Sequence, residues 1–94
     1  METKKPYIHF QVSHHSFIRT FQQSAEDKLF EWHRDKEERL VYVIYAGTGW
    51  KFQRDNELPI LLLSNQTTFR VKAEEYHRII KGEEGPLVLY IEEK

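Results

Sequence analysis

Residues 40 to 54 read L-V-Y-V-I-Y-A-G-T-G-W-K-F-Q-R, and this stretch predicts a fold built on a β-sheet. Its first part is mostly β-branched or aromatic, a composition typical of strands. Its last part alternates between two faces, which predicts a second strand. A phosphate-binding glycine loop leads into a helix, whereas Gly47 and Gly49 lead into a strand. We therefore interpret Gly47-Thr48-Gly49 as a hairpin loop.

Further strands are predicted on both sides of this stretch. Residues 7–12 alternate, with Ile8, Phe10 and Val12 on one face, as in a half-buried strand. Residues 14–23 fit either a helix, with Phe17, Ile18 and Phe21 on one side, or a strand, with Phe17 and Phe21 on one face. Three later runs are predicted as strands: residues 60–63, 67–71 and 87–91.

Two helices are predicted between the strands. Ser24 is a good N-cap residue and acidic residues follow it, so residues 24–38 are interpreted as an amphipathic helix. Residues 73–81 have helical spacing and end before Gly82, a typical C-terminal cap. The predicted fold class is therefore α+β, with a mostly antiparallel, curved sheet, barrel-like or two-layered, of about five to seven strands. The 24–38 helix is its main helix and the second helix is short.

Composition limits the functions that the chain could have. Its 94 residues predict a single domain, residues 1–94, with residues 1–6 as a flexible leader. The net charge of −1 argues against a dedicated nucleic-acid or membrane-surface binder. Cysteine is absent, which excludes disulfides and thiolate chemistry. No apolar run could span a bilayer, and we expect a cytoplasmic location without membrane partners.

Histidine is the residue type whose distribution suggests a metal site, with His9, His14, His15, His33 and His77. On the predicted 24–38 helix, however, His33 and Asp35 would point about 200° apart around the axis. This spacing favours solvated imidazoles over metal ligands. We therefore predict no metal ligands, no cofactor and no stoichiometric zinc, nickel or iron, and a His-based metal-binding protein ranks third among the functions. No nucleophile or paired-carboxylate signature indicates catalysis, so the chain is predicted not to be an enzyme.

The predicted strands are apolar on both faces, which indicates an interface. Strands of this kind must be covered on both sides, from within the chain or by another chain. The function predicted first is a small intracellular binding or regulatory module that acts through protein association, with a homodimer as one form. Aromatic and aliphatic anchors dominate such interfaces, and the candidates are Tyr42, Ile44, Trp50 and Trp32.

The alternative function is binding of single-stranded nucleic acid. Basic residues are interleaved with aromatic ones along neighbouring predicted strands, as on surfaces that stack bases and neutralise phosphates. The candidate basic residues are Lys51, Arg54, Arg70 and Lys72.

Overall fold

The structure is a computed structural model that describes residues 5–26 and 30–94. The described residues form eight strands: β1 (Tyr7–Gln11), β2 (Ser16–Phe21), β3 (Arg39–Thr48), β4 (Lys51–Arg54), β5 (Ile60–Leu61), β6 (Thr68–Val71), β7 (His77–Ile80) and β8 (Glu84–Glu93). They make two antiparallel sheets, one with the order β1-β2-β8-β3-β6 and one with the order β5-β4-β7. The fold is a two-layer β-sandwich.

The described residues contain no helix, so the predicted α+β fold is wrong. Of the predicted main helix over residues 24–38, residues 27–29 lie outside the described residues, and the remainder forms turns and extended segments. Its residue His33 instead forms a backbone bridge with His77, with N–H···O distances of 3.0 and 2.9 Å. Residues 73–81, which were predicted as the short helix, instead include strand β7, which pairs with β4. Pairing between distant segments therefore outweighs the local helical pattern.

The strand predictions are confirmed, because each of them overlaps a strand of the structure. The segment 14–23, for which helix and strand were both open, contains β2.

Of the predicted leader, residues 1–4 lie outside the described residues. The described part of the chain has no helix of the length and apolar character that crossing a membrane requires.

The glycine turn connects the two sheets. Strands β3 and β4 belong to different sheets and do not pair, so the hairpin interpretation is wrong. Gly49 has a φ of +84°, which glycine adopts without strain. A Cβ on Gly47 would lie 2.1 Å from the carbonyl oxygen of Glu84. Gly47 is therefore required by the close approach of β3 to β8.

The hydrophobic core lies between the sheets and takes side chains from both. Trp50 is fully buried, and its Nε1–H donates to the carbonyl oxygen of Gly85 at 2.9 Å. The indole therefore packs without an unpaired polar atom. The other buried apolar residues are Phe17, Phe21, Val41, Val43, Phe52, Leu62, Val71, Leu87, Leu89 and Ile91.

The two sides of strand β1 are oriented against expectation. Ile8 and Phe10 are 64% and 66% exposed, so their predicted half-buried side in fact faces water. On the opposite side, Tyr7 packs edge-on against the core residue Phe21, with ring centroids 5.4 Å apart, and the His9 ring lies 4.8 Å from that of Phe17. We call the water-facing side of the five-stranded sheet the outer face, which by strand register carries Ile8, Phe10, Ile18, Tyr42, Val88 and Tyr90.

Candidate metal centre

A cavity of about 510 Å³ lies between the two sheets. Most of its wall is apolar and comes from both sheets, including Val41 and Leu89 of one and Phe52 and Ile79 of the other. Polar side chains also line it, and those that bear on metal binding are His33, Asp35 and His77. The sandwich thus encloses a small-molecule-sized space with a titratable cluster in its wall.

His33, Asp35 and His77 meet because the segment before β3 is extended. The backbone of His33 bridges to that of His77, and the carbonyl oxygen of Asp35 accepts from the backbone N–H of Glu74 at 2.7 Å. In an extended segment, residues i and i+2 point to the same side. One potential ligand atom from each of the three residues lies within 4.8 Å of the others. The sequence-based argument against a metal assumed a helix here, and that assumption is wrong.

Hydrogen bonds to the backbone fix both imidazole rings. Nδ1 of His33 lies 3.2 Å from the carbonyl oxygen of Glu31, and Nδ1 of His77 lies 2.8 Å from that of Glu75. A carbonyl oxygen can only accept, so each Nδ1 carries a proton. In a neutral ring, Nε2 is then left with a lone pair, the form in which histidine binds metals. Partial desolvation of the ring lowers the pKa of His33, which favours this neutral form.

Asp35 brings a carboxylate into the cluster. Its Oδ2 is buried and lies 3.3 Å from Nε2 of His77 and 3.1 Å from Nη1 of Arg39, yet neither contact has hydrogen-bond geometry. Burial alone would raise the pKa of Asp35. The neighbouring His77 ring and the positive charge of Arg39 outweigh burial and hold the pKa below its usual value. Asp35 is therefore an ionised carboxylate whose buried Oδ2 has charged or titratable neighbours but no hydrogen-bond donor among the described residues.

The positive charge of Arg39 offsets the negative charges of the carboxylates around this cluster. In addition to its contact with Asp35, it contacts Oε2 of Glu93 through Nε at 3.0 Å and Nη2 at 2.9 Å. The arginine thus spans two carboxylates at the base of β3. Its guanidinium provides part of the counter-charge that a buried Asp35 requires.

The four residues predicted as interface anchors lie in different parts of the molecule. Tyr42 lies on the outer face and Ile44 is exposed at a β-bulge in β3. Trp50 is in the core. Trp32 lines the cavity and is stacked by Arg78, whose guanidinium carbon is 4.7 Å from the ring centroid. The structure does not bring these four side chains together.

The residues predicted to bind nucleic acid do not form one aromatic and basic surface. Lys51 and Lys72 are exposed, whereas Arg54 pairs with Glu75 and also donates to the backbone oxygen of Arg70. Arg70 lies 3.8 Å from a carboxylate oxygen of Glu38. The neighbouring aromatic residues, Phe52 and Phe69, stack on each other at 4.3 Å and belong to the core region.

Arg19 lines the cavity and was not among the residues predicted from the sequence. The signal that could have identified it is its position between Phe17 and Phe21 at period-two spacing. A strand side that carries two phenylalanines faces a core, so a charge between them must lie in that core or at its rim.

No protein-family model and no curated protein matches the chain in sequence. Among solved structures, a cupin domain from Bordetella pertussis is similar, with a TM-score of 0.64, 14% identity and coverage of 99% of both chains. Protein NMB1881 from Neisseria meningitidis has a TM-score of 0.64 and 11% identity, covering 100% of this chain and 89% of that one. DMSP lyase DddQ from Ruegeria pomeroyi is similar with a TM-score of 0.69 and 11% identity. The match covers 84% of this chain but only 36% of the lyase. The chain therefore has a cupin-like fold.

Proposed function

We propose that this cupin-like domain binds one divalent transition-metal ion through His33, Asp35 and His77. The observation that carries the proposal is the 3.3 Å contact between Nε2 of His77 and Oδ2 of Asp35. The backbone carbonyl of Glu75 holds the proton of a neutral His77 ring on Nδ1, so two lone-pair atoms then face each other at a buried position. Arg39 offsets the charge of Oδ2 from one side, and a metal ion between the two atoms would accept both lone pairs.

The donor set fits a transition metal better than a hard cation. Two imidazole nitrogens and one carboxylate oxygen suit zinc, iron or cobalt, whereas magnesium and calcium prefer all-oxygen sites. Three protein ligands leave coordination positions open, and the cavity gives a small molecule access to them. When bound, the ion would supply Lewis-acid chemistry to a ligand in the cavity.

The surroundings of the three residues support the same assignment. The carbonyl oxygens of Glu31 and Glu75 orient the two rings, as groups around a metal ligand commonly do. The competing interpretation is an ion pair between a protonated His77 and Asp35, assisted by Arg39. The two interpretations differ in whether the cluster binds a metal, and a titration separates them.

The test is a titration of tag-free, EDTA-treated protein with cobalt(II) and zinc, followed by calorimetry and by the visible absorption of cobalt. We expect one equivalent of metal. His77→Ala and, because His77 is buried, the more exposed His33→Ala should each weaken binding by at least about 100-fold, since even groups that only support a ligand contribute 10- to 100-fold.

The matched control is the exposed pair His14 and His15, which lies outside the cluster. The double change His14→Ala/His15→Ala should leave metal affinity unchanged. Wild-type protein that binds no metal, or metal binding that survives both His33→Ala and His77→Ala, would contradict the proposal.

A further inference from the structure

Arg19 places a positive charge in the aromatic wall of the cavity. It lies on the inward side of β2, between the buried residues Phe17 and Phe21. Its guanidinium carbon is 4.1 Å from the centroid of the Tyr7 ring and 4.5 Å from that of Phe17. The face of the guanidinium therefore packs against aromatic rings in the cavity wall. Its N–H groups, which lie at the edge of the plane, still need hydrogen-bond acceptors.

Arg19 has no carboxylate partner among the described residues. Its Nε–H donates to Nδ1 of His9 at 3.3 Å, and no hydrogen bond formed within the described part of the chain uses its Nη groups. The carboxylates of Asp35 and Glu93 pair with Arg39 instead. Burial lowers the pKa of Arg19, but a guanidinium stays protonated at neutral pH. Within residues 5–26 and 30–94, this half-buried cation therefore has no carboxylate in direct contact.

The charges around the cavity favour an anionic ligand. Among the described residues that line it, Lys5, Arg19 and Arg39 are cations, and Glu31 and Asp35 are carboxylates. Arg39 is occupied by its two carboxylate contacts, whereas Arg19 and the exposed Lys5 have no carboxylate contact among the described residues, and of these two Arg19 is the one held half-buried in the wall. A buried charge needs a partner of opposite sign, and here a ligand can provide it.

We propose that the cavity binds a small organic carboxylate, whose two oxygens accept hydrogen bonds from the Nη groups of Arg19. A planar guanidinium matches a planar carboxylate with two parallel hydrogen bonds. The aromatic and aliphatic wall suits an apolar body, and a volume of about 510 Å³ lies within the range of small-molecule sites. A phosphate dianion would instead call for several cations held in the wall, whereas Lys5 is exposed.

This assignment rests on the proposed metal function in one respect, namely that the metal would face another part of the same ligand. The Arg19 contact itself does not need the metal. It can therefore be tested on metal-free protein, and the two proposals can fail separately.

The test is an NMR titration of EDTA-treated protein with benzoate, and in parallel with benzamide, its neutral counterpart. We follow backbone amides around the cavity and the Nε–H signal of Arg19. Benzoate should shift these signals saturably, and benzamide should bind about 10-fold or more weakly, because a charge-assisted pair is replaced by neutral hydrogen bonds. Arg19→Met should weaken benzoate binding by about the same factor, and Arg19→Lys, which keeps the charge without the fork, by less.

Arg34→Met is the matched control, because Arg34 is exposed and pairs with Glu74 outside the cavity wall. It should leave benzoate binding unchanged. If Arg19→Met does not fold, the comparison of benzoate with benzamide on the wild type still decides the question. Equal binding of the two compounds, no saturable shift with benzoate, or tighter binding of inorganic phosphate than of benzoate would each overturn the assignment. His33→Ala should lose metal and still bind benzoate, which separates this site from the metal centre.

Discussion

The inner and outer faces of the five-stranded sheet each depart from the usual distribution of polar and apolar residues. The inner face carries Arg19 and borders a cavity with His33, Asp35 and His77 in its wall. The outer face exposes Ile8 and Phe10 to water. A buried polar group or an exposed apolar patch is more informative than the ordinary residues around it. We propose ligand chemistry on the inner side, and contact with another surface on the outer side stays a prediction.

The outer face is continuous across four strands. Register pairs Phe10 with Ile18, Ile18 with Tyr90, and Tyr90 with Tyr42. The rings of Tyr42 and Tyr90 lie 5.8 Å apart. Such a row resembles the interior of a protein rather than its surface, and contiguous patches of this kind mark interaction sites in many soluble proteins.

The largest effect that we predict is a loss of stability on truncating a residue of β8, and it differs between adjacent residues on opposite faces. Leu87 is fully buried in the core, and Val88 lies on the outer face. Leu87→Ala should lower the free energy of unfolding by about 2–5 kcal/mol, because it leaves a cavity that the sandwich cannot close. Val88→Ala should cost less than about 1 kcal/mol in the monomer, since it removes little buried surface. Urea denaturation at low protein concentration measures both.

The same measurement could contradict the assignment of Val88 to a solvent-facing side. A cost for Val88→Ala that equals that for Leu87→Ala at every protein concentration would mean that the outer face is covered within the chain. A cost that grows with protein concentration would instead indicate a contact between copies.

The strands were predictable from sequence because their information is local. The run from Leu40 to Tyr45 favours a strand by composition, and β3 covers all of it. The topology was not predictable, since the turn at Gly47-Thr48-Gly49 joins strands of different sheets rather than pairing them. Which sheet a strand joins depends on contacts between residues far apart in the chain, and a local pattern does not contain them.

The metal centre was missed because one wrong element changed the direction of two side chains. His33 and Asp35 diverge on a helix and converge on an extended segment, and residues 24–38 carry a helical pattern. The backbone bridge from His33 to His77 decides between the two conformations. Arg19 had a local signal, its place between two phenylalanines, but the free donors that make it a candidate anchor become visible only in three dimensions.

The next effect concerns self-association through the outer face, which stays a prediction. Ile44 is exposed at the bulge of β3, beside Tyr42. We expect a homodimer in which two outer faces meet about a two-fold axis. Ile44→Asp should yield monomer or aggregate, because a carboxylate loses hydration at a desolvated contact without gaining a partner. Light scattering over a range of concentrations measures the mass.

The matched control is Lys51→Asp, on an exposed position of the other sheet. It should leave the assembly unchanged. A wild-type mass near 11.4 kDa at all concentrations would remove the reason for an interface on this face.

The smallest effect is a pH dependence of stability that originates on the inner side. Folding lowers the pKa of His33, so the unfolded chain takes up its proton at higher pH than the folded chain does. The contribution of His33 to stability is therefore fully present above 6.5, the pKa of the unfolded chain, and is lost as the pH falls below it. The pKa of Asp35 is also lowered by folding, so a second loss of stability follows below its unfolded pKa of 3.8. Solvent screening at the exposed His33 keeps its contribution small.

We expect the urea concentration at the unfolding midpoint of EDTA-treated protein to fall between pH 7.5 and 5.5. The fall should be smaller in His33→Gln but not in His14→Gln. Identical pH profiles for wild type and His33→Gln would show that the extended segment does not hold this imidazole in a low-dielectric site, and the inner face would lose one of the features that distinguish it from the outer.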